Sequence, residues 1–338
     1  MPHQPHISFQ GGELHHYELL AAAEAMKGRP KQMTVRLSDQ PWSAVAVAAL
    51  LFAGVSCSSE PPTHPNKALG FRVAVISLDG LRPDAIAEAP APTLKQLAKE
   101  GAFTLSAKTV SPTATLPAHT SMVTGLTPQH HGITWNDDTT SNPRQVAITT
   151  VFDFTALEGY TSALFVGKSK LRPLIHPGAP TKASIPPSDL WYADTVGAQV
   201  LAYLQVASPK PNFIFIHLPD IDVAGHAHGW MSPEYLAAVR HADSVVARIW
   251  EALKQTYGAD LTLIVTADHG GSGFGHADGT YLDSTVPWIV WGKGVTPQTL
   301  SGVRVVDTGP TVLWLLGLAQ PPDWDGVPVK SAFPTLPH

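Results

Sequence analysis

The chain has 338 residues, 44% hydrophobic and 14% charged, a composition that supplies a globular core and excludes an intrinsically disordered chain. Its formal net charge of −5 leaves no basic surplus to neutralise a nucleic-acid backbone, which speaks against a nucleic-acid-binding module. Sixteen histidines make metal ligation worth tracing along the chain.

Residues 1–32, with His15-His16 and an alanine-rich patch, are set aside as a leader outside the fold. Beyond Met33 and Arg36 runs an unbroken apolar stretch, Ala44–Val55, followed by the single cysteine, Cys57. The stretch is too short to span a bilayer but suits the hydrophobic region of a secretory signal. Residues 33–57 therefore resemble a lipoprotein-type signal peptide, with lipidation of Cys57 as the only expected membrane contact. One cysteine allows no intrachain disulfide. Residues 58–69 are polar and proline-rich and read as a tether, leaving 70–338 as the folded domain.

Within that domain Phe71–Leu78 is a near-continuous apolar run, as expected of a strand covered on both faces. Thr93–Lys99 reads as a helix stopped by Gly101, and Thr150–Glu158 as another, followed by a strand at Thr161–Val166. Asn212–His217 is a second buried strand. The strongest helical pattern runs from Ser232 to about Thr256, with Ser232 as N-cap, Pro233 and Glu234 in the first turn, and Gly258 as the stop. Leu236, Val239, Val246, Ile249 and Leu253 recur along it at helical spacing. Strands follow at Leu261–Thr266 and Val286–Trp291. Alternation of this kind predicts an α/β fold: a doubly wound, mainly parallel sheet with helices on both faces. In such sheets ligands bind beyond the carboxyl ends of the strands.

The residues in those places carry chemistry. Asp79-Gly80 ends the first strand. Asp220-Ile-Asp222-Val-Ala-Gly-His226 follows the strand at Asn212–His217, and Asp268-His269-Gly270 follows Leu261–Thr266. Carboxylates and imidazoles are the ligands of zinc and neighbouring divalent cations. Each element alone has a plainer reading, a turn or a surface histidine; their joint placement is what a metal site explains. The segment Ser111-Pro-Thr113-Ala-Thr115-Leu-Pro117-Ala-His119 offers a hydroxyl nucleophile. Pro112 and Pro117 disfavour helix around Thr115, and a helix is expected from Ala118 to Thr124. A hydroxyl near a helix N-terminus suits an anionic phosphate, although Thr113 or Thr115 as a simple N-cap is the plainer alternative.

Taken in order, Leu-Asp79-Gly, Pro-Thr-Ala-Thr115-Leu-Pro-Ala-His, His131-Gly-Ile-Thr-Trp-Asn136, Asp222-Val-Ala-Gly-His226 and Asp268-His269-Gly resemble the nucleotide pyrophosphatase/phosphodiesterase branch of the alkaline phosphatase superfamily. The resemblance runs from about Phe71 to Gly326, including the Thr308–Gly317 segment and Asp325-Gly326. It implies an alkaline-phosphatase-like fold and a hydrolase of phosphodiester or nucleotide pyrophosphate bonds, with two divalent cations, Zn2+ first among candidates. One cation would be held by Asp79, Asp268 and His269 with Thr115 bridging to it as nucleophile; the other by Asp222, His226 and a third histidine, assigned to His276. Asn136 matches the asparagine that donates to a phosphoryl oxygen, and its presence in place of an arginine favours diesters over monoester dianions. Phosphonate hydrolysis and phosphomonoester hydrolysis are the nearest rivals, an inactive metal-binding lipoprotein a more distant one. Asp220 is expected to stand behind Asp222, and His119, His217 and His228 to be structural or substrate-facing. The loops Asn136–Arg144 and Gly167–Pro187 are expected to shape the pocket for a small phosphate ester or nucleotide.

Overall fold

The computed structural model describes residues 65–137 and 147–337. The leader, the signal segment with Cys57, most of the tether and part of the loop after Asn136 lie outside the described residues. The last five residues of the expected tether, Pro65–Leu69, form a turn of 3-10 helix, with Asn66 buried and its side-chain amide donating to the Trp314 carbonyl at 2.9 Å. They pack on the domain instead of spanning free.

Among the described residues eight strands form one sheet: β1 Arg72–Leu78, β2 Ala102–Lys108, β3 Ser162–Val166, β4 Lys182–Ser184, β5 Phe213–Leu218, β6 Leu261–Thr266, β7 Thr285–Gly292 and β8 Gln298–Thr299. The order across it is β4-β3-β5-β1-β6-β7-β2-β8. β1 pairs in parallel with β5 on one side and β6 on the other, with Leu78 opposite Leu218 and Ser77 opposite Thr266. β7 runs antiparallel to both its neighbours. The expected doubly wound, mainly parallel sheet is what forms. β5 and β6 are buried along their whole length and β1 beyond its first residue, which is why their sequences carry no polar alternation.

Helices cover both faces. The long helix Pro233–Tyr257 packs with Pro92–Glu100, Ala193–Val206 and Asp220–His228 on one side, and Thr115–Thr124 packs with Val151–Leu157 and Thr308–Leu316 on the other. Ser232 caps the long helix by accepting from the Tyr235 N–H at 3.1 Å. One boundary differs from the sequence expectation. The helix around Thr115 begins at Thr115 itself, not Ala118, with Pro117 inside its first turn. The N–H groups of a first turn have no intrahelical acceptor, so a proline there removes no hydrogen bond. No helix among the described residues is long and apolar enough to cross a membrane.

Candidate functional site

Because β1, β5 and β6 are adjacent and parallel, the residues that follow them share one edge of the sheet. Asp79 follows β1 directly, Asp222 lies in the first turn of the helix after β5, and Asp268-His269 follow β6. Gly80 has φ +72°, and a Cβ there would stand 3.0 Å from the Asp222 Cα. Glycine therefore lets the Asp79 and Asp222 loops touch.

The buried carboxylates divide their oxygens in the same way. Asp79 Oδ2 accepts from His217 at 2.8 Å and pairs with Lys168 Nζ at 2.6 Å. Asp222 Oδ2 pairs with the same Nζ at 2.5 Å. Asp268 Oδ1 accepts from the N–H groups of Gly80 and His269 at 3.1 and 3.0 Å. The remaining oxygens, Asp79 Oδ1, Asp222 Oδ1 and Asp268 Oδ2, are buried without a hydrogen-bond partner, as is His269 Nε2.

The histidines are oriented to match. A backbone carbonyl accepts only, so His269 Nδ1–H donates to Gly270 O at 2.8 Å, His226 Nδ1–H to Phe274 O at 2.9 Å and His276 Nδ1–H to Thr113 O at 2.5 Å. In neutral rings of this tautomer Nε2 keeps its lone pair, as a metal-ligating histidine must. His269 Nε2 lies 3.3 Å from Asp79 Oδ1 and 3.4 Å from Asp268 Oδ2; His226 Nε2 and His276 Nε2 lie 3.3 and 3.8 Å from Asp222 Oδ1. Two cages result, Asp79/Asp268/His269 and Asp222/His226/His276, each with one ligand atom per residue and all such atoms within 4.8 Å of one another. Unpartnered lone pairs facing each other in a buried site are costly unless a cation stands between them. The oxygen and nitrogen donor set fits Zn2+ and similar divalent ions.

The ionisation pattern expresses the same demand. Burial, and then the Asp79 charge, push Asp268 up to about 7. Burial opposes charging of His269, but Asp268 and Asp79 around it raise its pKa to about 10. Protons are thus drawn to the point where the lone pairs meet. Burial also opposes ionisation of Asp79, yet Lys168 and the hydrogen bond from His217 hold it well below the usual carboxylate range. Burial, and then His269, push His276 down to about 4, which keeps it neutral.

Thr115 is the first residue of its helix, buried, with Oγ1 3.5 Å from Lys168 Nζ. Asn136 Oδ1 accepts from the Leu116 N–H at 2.9 Å, leaving its Nδ2 as the group that can donate beside Thr115. His276 and Thr113 are doubly joined, since the Thr113 hydroxyl also donates to the His276 carbonyl. The His276 loop is thereby tied to the segment that leads into Thr115.

Of the residues set aside, His217 accepts the Gly167 N–H on Nδ1 at 3.2 Å, which leaves Nε2–H to donate to Asp79. His119 donates from Nδ1 to the Thr115 carbonyl at 2.7 Å and accepts the Ser77 hydroxyl on Nε2 at 2.9 Å, anchoring the Thr115 backbone to β1. Asp220 accepts from the Ala193 N–H at 2.7 Å. His228 is exposed and belongs to neither cage. The sequence reading missed Lys168. It stands two residues past the end of β3, so the rule of inspecting strand ends reaches it, but a lysine is not a metal ligand and carried no pattern of its own.

Residues 73–289 match the type I phosphodiesterase / nucleotide pyrophosphatase family. The chain belongs to this family. Among its relatives are ectonucleotide pyrophosphatase/phosphodiesterase family member 1 of Rattus norvegicus, 29% identical over 218 residues, 58% of this chain and 23% of that protein, and a bis(5'-adenosyl)-triphosphatase of Xenopus laevis, 28% identical over 247 residues, 67% of this chain and 52% of that protein. This phosphodiesterase-family chain therefore spans about half or less of the length of those relatives. Murine ectonucleotide pyrophosphatase/phosphodiesterase 5 shares the fold, with a TM-score of 0.64 at 18% identity over 74% of this chain and 96% of that one. A phosphonate monoester hydrolase from Silicibacter pomeroyi shares it too, at 0.60 and 16% identity over 79% and 77% of the two chains. The fold is alkaline-phosphatase-like.

Proposed function

We propose that the chain is an exported two-metal hydrolase of phosphodiester or nucleotide pyrophosphate bonds that works through a phosphothreonine on Thr115. The observation that carries this reading is the convergence of four unpartnered buried atoms, delivered by the ends of β1, β5 and β6, beside one buried hydroxyl at a helix N-terminus. Asp79, Asp268 and His269 hold one divalent cation, and Asp222, His226 and His276 the other. Such cations, Zn2+ first among them, supply when bound the positive charge that makes a threonine hydroxyl acidic and offsets charge on a departing oxygen. Thr115 Oγ1 gives up its proton to solvent and attacks phosphorus in line; the O–P bond forms as the bond to the leaving oxygen breaks, and the electron pair departs with that oxygen, which takes up a proton from solvent. Asn136 Nδ2 donates to a phosphoryl oxygen, with the helix N-terminus favouring the same negative charge. Water then releases the phosphoryl group from Thr115.

Support for a nucleotide substrate comes from the relatives' names and from a solved murine homologue, an inactive threonine-to-alanine form in complex with AMP. Export, with Cys57 as a lipid attachment point, belongs to the same proposal; it rests on the apolar run before that cysteine and on the ecto-enzyme names of the relatives. The test is Thr115→Ala with metal content measured in parallel. Hydrolysis of a diester should fall roughly a thousandfold or more while two metals per chain remain; near-normal turnover in the variant would sink the reading.

A further inference from the structure

We propose that Lys168 is a specificity-determining residue: its ammonium grips the phosphoryl group attacked by Thr115 and extends the site to phosphoryl groups carrying two negative charges, phosphomonoesters among them. The inference rests on the hydrolase reading above and names a substrate class for that site.

The backbone around Lys168 is fixed on both sides. The Gly167 N–H donates to His217, the Trp191 N–H donates to the Gly167 carbonyl at 2.8 Å, and the Ser169 N–H donates to Asp189 O at 3.0 Å. A Cβ on Gly167 would stand 2.5 Å from Pro219 and from the Trp191 carbonyl, so a side chain there would force its neighbours to shift. The side chain is 10% exposed and its Nζ reaches Asp79 Oδ2, Asp222 Oδ2 and Thr115 Oγ1 at 2.6, 2.5 and 3.5 Å. An ammonium has three N–H bonds. Two serve the carboxylates, and the third has Thr115 as its neighbour.

The lysine and the cages use different atoms. Lys168 takes the Oδ2 oxygens of Asp79 and Asp222, while the Oδ1 oxygens face the histidines. Cations in the cages therefore do not have to displace it. A phosphorus atom about to bond to Thr115 Oγ1 brings its own oxygens into the region that Nζ borders. A fixed positive charge attracts a dianion about twice as strongly as a monoanion at the same distance. Lys168 thus acts on a monoester more than on a diester, opposing the preference expected from Asn136.

The experiment compares Zn2+-loaded wild type, Lys168→Met and Lys168→Gln. It measures kcat/KM for p-nitrophenyl phosphate and for bis(p-nitrophenyl) phosphate, metal content, and calorimetric binding of inorganic phosphate. Wild type should cleave both esters. Both variants should keep two metals, bind phosphate more weakly, and show a monoester-to-diester ratio lowered about tenfold or more. Equal losses on both esters, or unchanged phosphate affinity, overturn the proposal. So does loss of metal or of the fold in both variants, because the lysine would then serve the cage and not the phosphoryl group. A wild type that cleaves neither ester fails the hydrolase reading, and the phosphate-binding comparison still decides the role of Lys168.

Discussion

At the scale of single residues, each buried carboxylate of the candidate site is divided between two surroundings. Asp79, Asp222 and Asp268 each give one oxygen to the protein and keep the other turned inward. The identities of these residues were legible because strand ends are where an α/β sheet collects ligands; which oxygen does what depends on partners far away in sequence. Lys168 shows the same limit, since its importance lies in the two carboxylates it touches. A further residue-scale consequence concerns His131, which sits in one of the recognised motifs. The Ile133 N–H donates to its Nδ1 at 3.0 Å, so the ring is neutral with its proton on Nε2 beside Ser121. Burial is the main cause that lowers its pKa to about 4. An unfolded histidine titrates at about 6.5, so between there and about 4 the unfolded chain binds the extra proton and stability falls as pH drops. Chemical denaturation across that window should show a steeper pH dependence for wild type than for His131→Asn, by up to about 1.4 kcal/mol per pH unit. Parallel curves would refute the assignment.

At the scale of elements, one indole holds the strand-end loops together. Trp230 donates from Nε1 to the Gly80 carbonyl at 3.0 Å, and its ring lies where a Cβ on Gly225 or Gly271 would approach to 2.7 or 2.2 Å. It thereby joins the loops after β1, β5 and β6. Trp230→Ala should cost about 3–5 kcal/mol in chemical denaturation, as loss of a large packed aromatic does. It should also lower metal content, whereas Trp230→Phe should lose about 1 kcal/mol with one hydrogen bond and retain metal. Full metal occupancy in the alanine variant would show that the brace is not needed for the cages. Apolar runs and caps made β1, β3, β5, β6 and the long helix readable to within a residue or two. The start of the Thr115 helix was not, because Pro117 marks a break in a helix interior but is neutral in a first turn. β2 escaped notice as well: its exposed Leu105 and the register shift between Thr104 and Ala107 blur the alternation that would have marked it.

At the scale of the molecule, strand order is what no local pattern encodes. β1 neighbours β5 and β6, which follow it by well over a hundred residues, and only that order turns three separate Asp-containing turns into one site. The doubly wound class could be inferred from alternation; the order across the sheet could not. The two cages also differ in their access to water. The side chains of Asp79, Asp268 and His269 are each 0% exposed, whereas His226 in the other cage is 47% exposed. Ions held in them should consequently leave on separate clocks. Mixing the loaded protein with excess chelator should release one equivalent quickly and the second slowly, with a half-stripped species accumulating between the phases; a single phase of two equivalents would count against this picture. A purification that includes a brief chelating wash would then yield protein carrying a single trapped ion, folded and inert, whose activity returns on adding back one equivalent.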